Sequence, residues 1–272
     1  MCNINNAAAL AARAFFPRGL VQPPGAFRFS AEALFPAVYA GLRSGMRLLD
    51  LGTGCGVTAF TALCLNPAIQ VVGVEILPEA AAAAALNAER LGFSRAFRVI
   101  CADLADLTLF FPDAASDSTE TDAAGNAPRR ITARSFDAAT ANPPYRQRGR
   151  GRLPASAARR TALFEEPGTL DVFCAAAAEA LKETGRLTLV YPAARLPDVT
   201  AALERVALRL VRILPLCPRT GTNAALLLLE AAPASSVPHI PPRFEAPLIL
   251  HGADGRFTRA ALQFCPFLAC NA

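Results

Sequence analysis

The sequence predicts an α/β fold: a seven-stranded, mostly parallel sheet with an antiparallel edge hairpin and helices on both faces. Three observations predict it. Short apolar runs alternate with helical stretches at the spacing of βαβ units from residue 47 onward. The first run ends in a glycine turn that opens a helix. The last two core strands are separated only by Pro215 to Thr222, too little chain for a parallel crossover, so they pair antiparallel.

The elements follow in order. Residues 1–46 read as irregular, with Pro17, Pro23, Pro24 and Gly25 marking loops. One short helix is expected there, from Ala31 to Leu42, with Ser30 as its N-cap. Arg47 to Leu51 is a buried strand, Gly52, Gly54 and Gly56 form the turn, and Val57 to Leu65 is a helix. Gln70 to Glu75 is an apolar strand ending in an acid. Pro78 to Leu91 is an Ala-rich helix with proline in its first turn and Gly92 as its stop. Phe97 to Ala102 is a third strand, with Asp103 just beyond it.

The stretch 113–134 breaks the pattern. Its Asp, Ser, Thr, Gly and Ala content marks a flexible surface insertion. Phe136 to Ala141 resumes as the fourth strand and runs into Asn142-Pro143-Pro144-Tyr145. Then come a loop to about Glu166, a helix from Leu170 to Lys182 stopped by Gly185, and a fifth strand from Arg186 to Tyr191. Pro197 to Leu208 is a helix, Arg209 to Leu214 and Asn223 to Ala231 are strands, and a Pro-rich link leads to a last short strand near Leu248 to Leu250. No repeat is visible. The organisation expected is an N-terminal extension over 1–45, packed on the ligand site, and one catalytic domain over 46–272.

Composition bounds the function. With 272 residues and 53% hydrophobic content the chain can bury a full core. It has no uninterrupted apolar run of the ~18 residues that a membrane helix needs. Arg13 interrupts the apolar N-terminus and no clean cleavage site follows, so a cytoplasmic protein without membrane association is expected. The 8 cysteines form no CxxC pair, which predicts free thiols and no metal site. The 2 histidines, His239 and His251, lie late and no GxSxG accompanies them, which disfavours hydrolase triads. The net charge of +5 hints at a polyanionic partner. Lys182 is the one lysine among 27 basic residues, however, so arginine is a compositional habit of this chain.

Two motifs carry chemistry. In Asp50-Leu51-Gly52-Thr53-Gly54-Cys55-Gly56, glycines after a buried strand let backbone approach a ligand, and the next helix presents free N–H groups. Glu75, at the tip of the second strand, can accept from both hydroxyls of a ribose, and Asp103 is placed to meet an adenine amino group. A dinucleotide-binding dehydrogenase shares these features, but its fingerprint puts Gly or Ala where this chain has Val57. The second motif, Asn142-Pro143-Pro144-Tyr145, sits at the carboxyl end of a strand, where open α/β sheets bind ligands. The Asn142 side-chain oxygen and the Pro143 carbonyl can both accept from one planar NH2 group. Two acceptors pull that nitrogen toward tetrahedral geometry and free its lone pair. Tyr145 can stack on a flat acceptor.

These residues resemble the Asn-Pro-Pro-Tyr amino methyltransferases, which act on adenine in nucleic acids and on glutamine in release factors. Gln22, Gly25 and Phe27-Arg28-Phe29-Ser30-Ala31-Glu32 are similar to the opening of the bacterial tRNA1(Val) adenine-N6-methyltransferase family, with Glu32 where Asp is usual and Phe27 where Tyr is usual. Leu181 to Arg186, Arg195-Leu196 and Gly255-Arg256-Phe257-Thr258 resemble its later segments, with Phe257 where Tyr is usual. The resemblance spans about residues 20–260.

It implies a Rossmann-like class I methyltransferase that transfers a methyl group from S-adenosylmethionine to N6 of an adenine in tRNA, the adenosine 3′ of the anticodon in valine tRNA. Asp50, Gly52, Gly54, Gly56, Glu75, Asp103 and Asn142 are then expected to bind the cofactor, and Asn142, Pro143 and Tyr145 to hold the acceptor. Arg28 is placed to help close the pocket or to form a structural salt bridge. Arg146, Arg148 and Arg150 are placed for phosphate contacts beside the acceptor, as are Arg152, Arg159 and Arg160. A monomer is expected. Two alternatives stay open: a protein glutamine methyltransferase (or another rRNA or DNA amino methyltransferase), and a catalytically idle RNA-binding module.

Overall fold

A computed structural model describes residues 4–24, 28–109, 133–145 and 168–271. The insertion expected at 113–134 lies, but for its last two residues, outside the described residues.

The strands are β1 (Arg47–Leu51), β2 (Gln70–Glu75), β3 (Phe97–Cys101), β4 (Phe136–Ala141), β5 (Leu181–Pro192), β6 (Leu208–Arg219), β7 (Leu226–Pro233), β8 (Arg243–Phe244) and β9 (Leu248–His251). The helices are α1 (Ile4–Ala14), α2 (Phe35–Tyr39), α3 (Val57–Leu65), α4 (Pro78–Arg90), α5 (Thr169–Ala180), α6 (Leu196–Arg205) and α7 (Arg259–Phe264). The sheet order is β3-β2-β1-β4-β5-β7-β6-β8, with β9 also on β6. Neighbours from β3 to β5 pair parallel. β7 turns back and inserts between β5 and β6, antiparallel to both. The predicted parallel sheet with its antiparallel edge hairpin is present, and the short β8 and β9 together add one further edge position beside β6.

Successive residues along a strand point to opposite faces, so a strand buried on both sides must be apolar throughout. Leu48 of β1 belongs to one core cluster with Phe35, Phe60 and Ala84, while Leu49 belongs to the other with Val74, Ala139 and Ala177. This sandwich fixes where each strand ends, and therefore where the site forms. Among the described residues no helix is long and apolar enough to cross a membrane.

Four expectations are corrected. Residues 1–46 are not irregular throughout: Ile4–Ala14 is the helix α1. Its Arg13 donates to the Leu91 carbonyl at 2.7 Å and lies 4.1 Å over the Phe93 ring, which ties the helix to the end of α4. The helix expected from Ala31 to Leu42 is instead a 3-10 turn, Ala31–Leu34, followed by the short α2, and the Ser30 side chain caps nothing. Pro36 has no N–H to continue the ladder, so the helix restarts with proline in its first turn. The helix expected to reach Lys182 stops at Ala180, because Leu181 already pairs with Phe136 and Lys182 reaches Asp137 at 2.6 Å. The chain then bulges and regains register at Arg186 opposite Ala138. Helix α6 ends at Arg205 rather than Leu208, since Ala207 takes a left-handed φ of 54° and β6 begins at once.

Candidate active site

The glycine turn leaves β1 and folds back over β2. The Thr53 N–H donates to the Val74 carbonyl at 2.9 Å, and the Gly54 N–H donates to Glu75 Oε2 at 2.8 Å. The three motif glycines serve different ends. A Cβ on Gly56, where φ is +91°, would stand 2.2 Å from the Phe60 ring, so this position is bare for packing. A Cβ on Gly52 would come within 3.1 Å of Phe173. Gly54, at φ +58°, faces open space. Gly73 in β2 is a fourth, which the sequence reading passed over: a Cβ there would meet the Thr53 side chain at 2.7 Å. A glycine inside an apolar strand is the signal that could have found it.

The three acids end up in three settings. Asp50 is 2% exposed, beneath the turn. Its oxygens accept from the Thr53 hydroxyl at 2.6 Å and the Thr140 hydroxyl at 2.8 Å, which joins β1, the turn and β4. Burial pushes its carboxyl up to about 6, against the lowering effect of those two hydroxyls. Glu75 is 7% exposed. One oxygen accepts from Gly54 and the other from the Leu77 N–H at 2.9 Å. Burial again raises its carboxyl above the ordinary value, opposed by these backbone bonds. Asp103 is exposed just past β3, and its Oδ1 accepts from the Ala105 N–H at 2.9 Å.

Beside the turn, β4 delivers the acceptor motif at the same sheet edge. The Asn142 Oδ1 is buried and has no hydrogen-bond partner among the described residues. A buried acceptor without a donor costs free energy unless a ligand supplies one. Pro143 is buried beside it. The Tyr145 ring meets the ring of Tyr191 in β5, with centroids 6.0 Å apart at 75°, and its hydroxyl donates to Glu32 Oε1 at 3.3 Å.

The N-terminal segment is bound to this region through a residue that the sequence reading missed. Asn87 of α4 is 1% exposed. It exchanges hydrogen bonds with the Val21 backbone at 2.8 and 2.9 Å, and donates to the Cys55 carbonyl of the glycine turn at 3.0 Å. A lone amide in an alanine run was its only signal. Arg28 is exposed and has no ion pair among the described residues, so the salt bridge considered for it is absent there. Arg146, Arg148, Arg150, Arg152, Arg159 and Arg160 lie outside the described residues. No cluster of three or more metal-ligating side chains occurs among the described residues.

Comparison with known proteins decides the family. Residues 42–207 match the family model described as a methyltransferase domain. The tRNA1(Val) (adenine(37)-N6)-methyltransferase of Porphyromonas gingivalis is 31% identical over 216 residues, 77% of this chain and 74% of that protein. The chain belongs to the tRNA1(Val) adenine-N6-methyltransferase family. A protein-L-isoaspartate O-methyltransferase of Marinobacter nauticus is 40% identical over a shorter 95 residues, 35% of this chain and 38% of that one. A solved structure of a predicted O-methyltransferase from Agrobacterium tumefaciens superposes with a TM-score of 0.63 over 86% of this chain and 95% of that one. At 20% identity that likeness speaks for the fold.

This member of the family is therefore an S-adenosylmethionine-dependent N-methyltransferase on a class I Rossmann-like fold. The residues present fit that cofactor. Gly54 leaves open space at the turn, and both Glu75 oxygens keep a lone pair for hydroxyl donors.

Proposed function

We propose that this enzyme methylates N6 of an adenine in tRNA, at the adenosine 3′ of the anticodon in valine tRNA. The observation that carries the reading is the unpartnered, buried Asn142 Oδ1 at the carboxyl end of β4. Family membership supports the choice of RNA.

In this reading Gly52, Gly54, Glu75 and Asp103 hold the cofactor, which supplies a sulfonium methyl as electrophile. Glu75 accepts from the ribose hydroxyls and Asp103 from the adenine amino group. Asp50 and Gly56 act through the turn: one buckles it to β4, the other seats it on Phe60. Asn142 Oδ1 and the Pro143 carbonyl accept hydrogen bonds from the two N6–H groups of the target base, which pulls that nitrogen toward tetrahedral geometry and frees its lone pair. The N6 proton would become acidic only on methylation, so this site would need no strong base, and the proton could leave to water. Tyr145 stacks on the base, and the proline pair keeps the acceptors in place before the base arrives. Arg146, Arg148 and Arg150 contact RNA phosphates, and Arg28 flanks the pocket.

The test is methyl transfer from labelled S-adenosylmethionine to tRNA lacking the modification, followed by nucleoside analysis. N6-methyladenosine at that one position of valine tRNA is the expected result. Label in ribosomal RNA, DNA or a release-factor glutamine, with none in tRNA, overturns the substrate while keeping the chemistry.

A further inference from the structure

We propose that Glu32 is a positioning residue for the acceptor, fixing the tilt of the Tyr145 ring from the N-terminal segment. The inference deepens the reading above and rests on it for the identity of the stacked base, but not for the contact itself.

Glu32 stands on a rigid base. It belongs to the turn Ala31–Leu34, in which the Ala33 N–H donates to the Ser30 carbonyl at 3.0 Å. The Thr58 hydroxyl of α3 donates to the Ala33 carbonyl at 2.8 Å. The next residues, Leu34 and Phe35, are fully buried. The side chain of Glu32 is half-buried and points its carboxylate at the Tyr145 hydroxyl.

Tyr145, by contrast, follows a strand end and has little regular structure of its own. The buried Tyr191 ring gives it a wall, which limits where the Tyr145 ring can move sideways. Packing against Tyr191 alone does not set the tilt of a flat ring. A hydrogen bond at the far end of the phenol does, and a carboxylate acceptor makes such bonds stronger than a neutral one. At 3.3 Å this bond is longer than the 2.5–3.0 Å usual between oxygens. Hydrogen bonds in unliganded sites are often long and shorten once the ligand is seated. Stacking strength depends on ring orientation, so a residue that sets the tilt acts on the acceptor step and leaves the cofactor subsite alone.

The chain has 3 tyrosines, so ring resonances of carbon-13-labelled tyrosine are assignable with one Tyr→Phe variant each. In the intact protein, Glu32→Ala should move the Tyr145 ring signal while leaving that of Tyr39 in place. An unmoved Tyr145 signal in a folded Glu32→Ala protein overturns the proposal whatever the substrate proves to be. In the methylation assay, Glu32→Ala and Tyr145→Phe should each lower efficiency toward tRNA by about fivefold, the scale of one net hydrogen bond. The double variant should be no worse than either single one, S-adenosylmethionine affinity should be unchanged, and Glu32→Gln should recover part of the loss. Additive losses, or a loss of cofactor affinity, also overturn it. Failure of the wild-type protein to label any tRNA, with the ring signal shifting as expected, counts against the substrate reading and not against the contact.

Discussion

One register row crosses the sheet from Asp50 through Thr140, Thr188 and Glu230 to Arg212, and its two ends handle a buried carboxylate in opposite ways. At the parallel end, Asp50 is held by two hydroxyls, and neighbouring Glu75 by two backbone N–H groups. Neither has a cationic partner among the described residues. At the antiparallel end, Glu230 receives the Arg212 guanidinium at 2.6 Å. Arg212 also reaches Glu245 and the Tyr39 carbonyl, and lies 4.2 Å over the Tyr39 ring. A cation saturates a carboxylate and locks it. Neutral donors leave the charge poorly compensated, and so leave it ready for a ligand. The partner, more than the burial, separates an acid that builds the fold from one that serves a site.

The largest effect should come from the parallel end. Asn142→Ala removes the acceptor that has no other task, so turnover should fall by about 10²–10³-fold, as when one preorganised polar group is lost from a reaction centre. Cofactor affinity, read by calorimetry, should stay put. Joint loss of both would mean that Asn142 supports the turn. Next come the paired acids. Glu75→Gln should weaken S-adenosylmethionine binding by about 10–100-fold, the range of hydrogen bonds to a charged group, with little change in melting temperature. Arg212→Met should do the reverse. It strands Glu230 and should cost about 2–3 kcal/mol, below the figure for a fully buried pair because Arg212 is partly exposed. A melting temperature lower by roughly 5–10 °C is expected, with cofactor affinity unchanged in the folded protein. If the two substitutions behave alike, partner type does not separate the roles.

The glycines sharpen the same contrast at smaller scale. Gly56→Ala drives a Cβ into Phe60 and should destabilise by about 1–3 kcal/mol. Gly54→Ala meets nothing in the protein and should cost only about 1 kcal/mol of backbone strain, yet it should lower cofactor affinity more than Gly56→Ala does. Thermal melts and binding isotherms on the two variants separate these outcomes.

The parallel end was also the legible one. Strands β1, β2 and β4 and helix α3 fall on the predicted runs, with β1 ending just before Gly52, β2 on Glu75, β4 just before Asn142 and α3 opening after Gly56, because strands buried on both faces leave little other choice of residue. The antiparallel half was less legible. β6 runs on through Pro215 and Pro218, which a strand reading discounts. Pro215 is tolerated because it falls where the outer neighbour changes from β8, paired at Arg212 and Ile213, to β9, paired from Leu216. At the site, the motif residues were visible as a pattern. Their supports were not: Thr53, Thr140, Asn87 and Gly73 matter through contacts between segments far apart in the chain.

The last test probes the parallel end by pH. Asp50 has a folded value of about 6 against an ordinary 3.8, raised by burial. A carboxyl raised on folding holds more protons in the native state than in the unfolded one between those two values. Its contribution to stability therefore falls as pH rises from about 4 to about 6, and is flat above that. Asp50→Asn cannot titrate, and one amide oxygen cannot accept as both carboxylate oxygens do, so the variant loses a hydroxyl bond at every pH. The melting temperature of the wild type minus that of Asp50→Asn should then shrink by a few degrees, on the order expected for about 1–2 kcal/mol, across that window. A difference that grows over the same range would mean that Asp50 carries a stabilising charge. It would then be a carboxylate held in its charged form by its partners, and the contrast between the two ends of the row would fail.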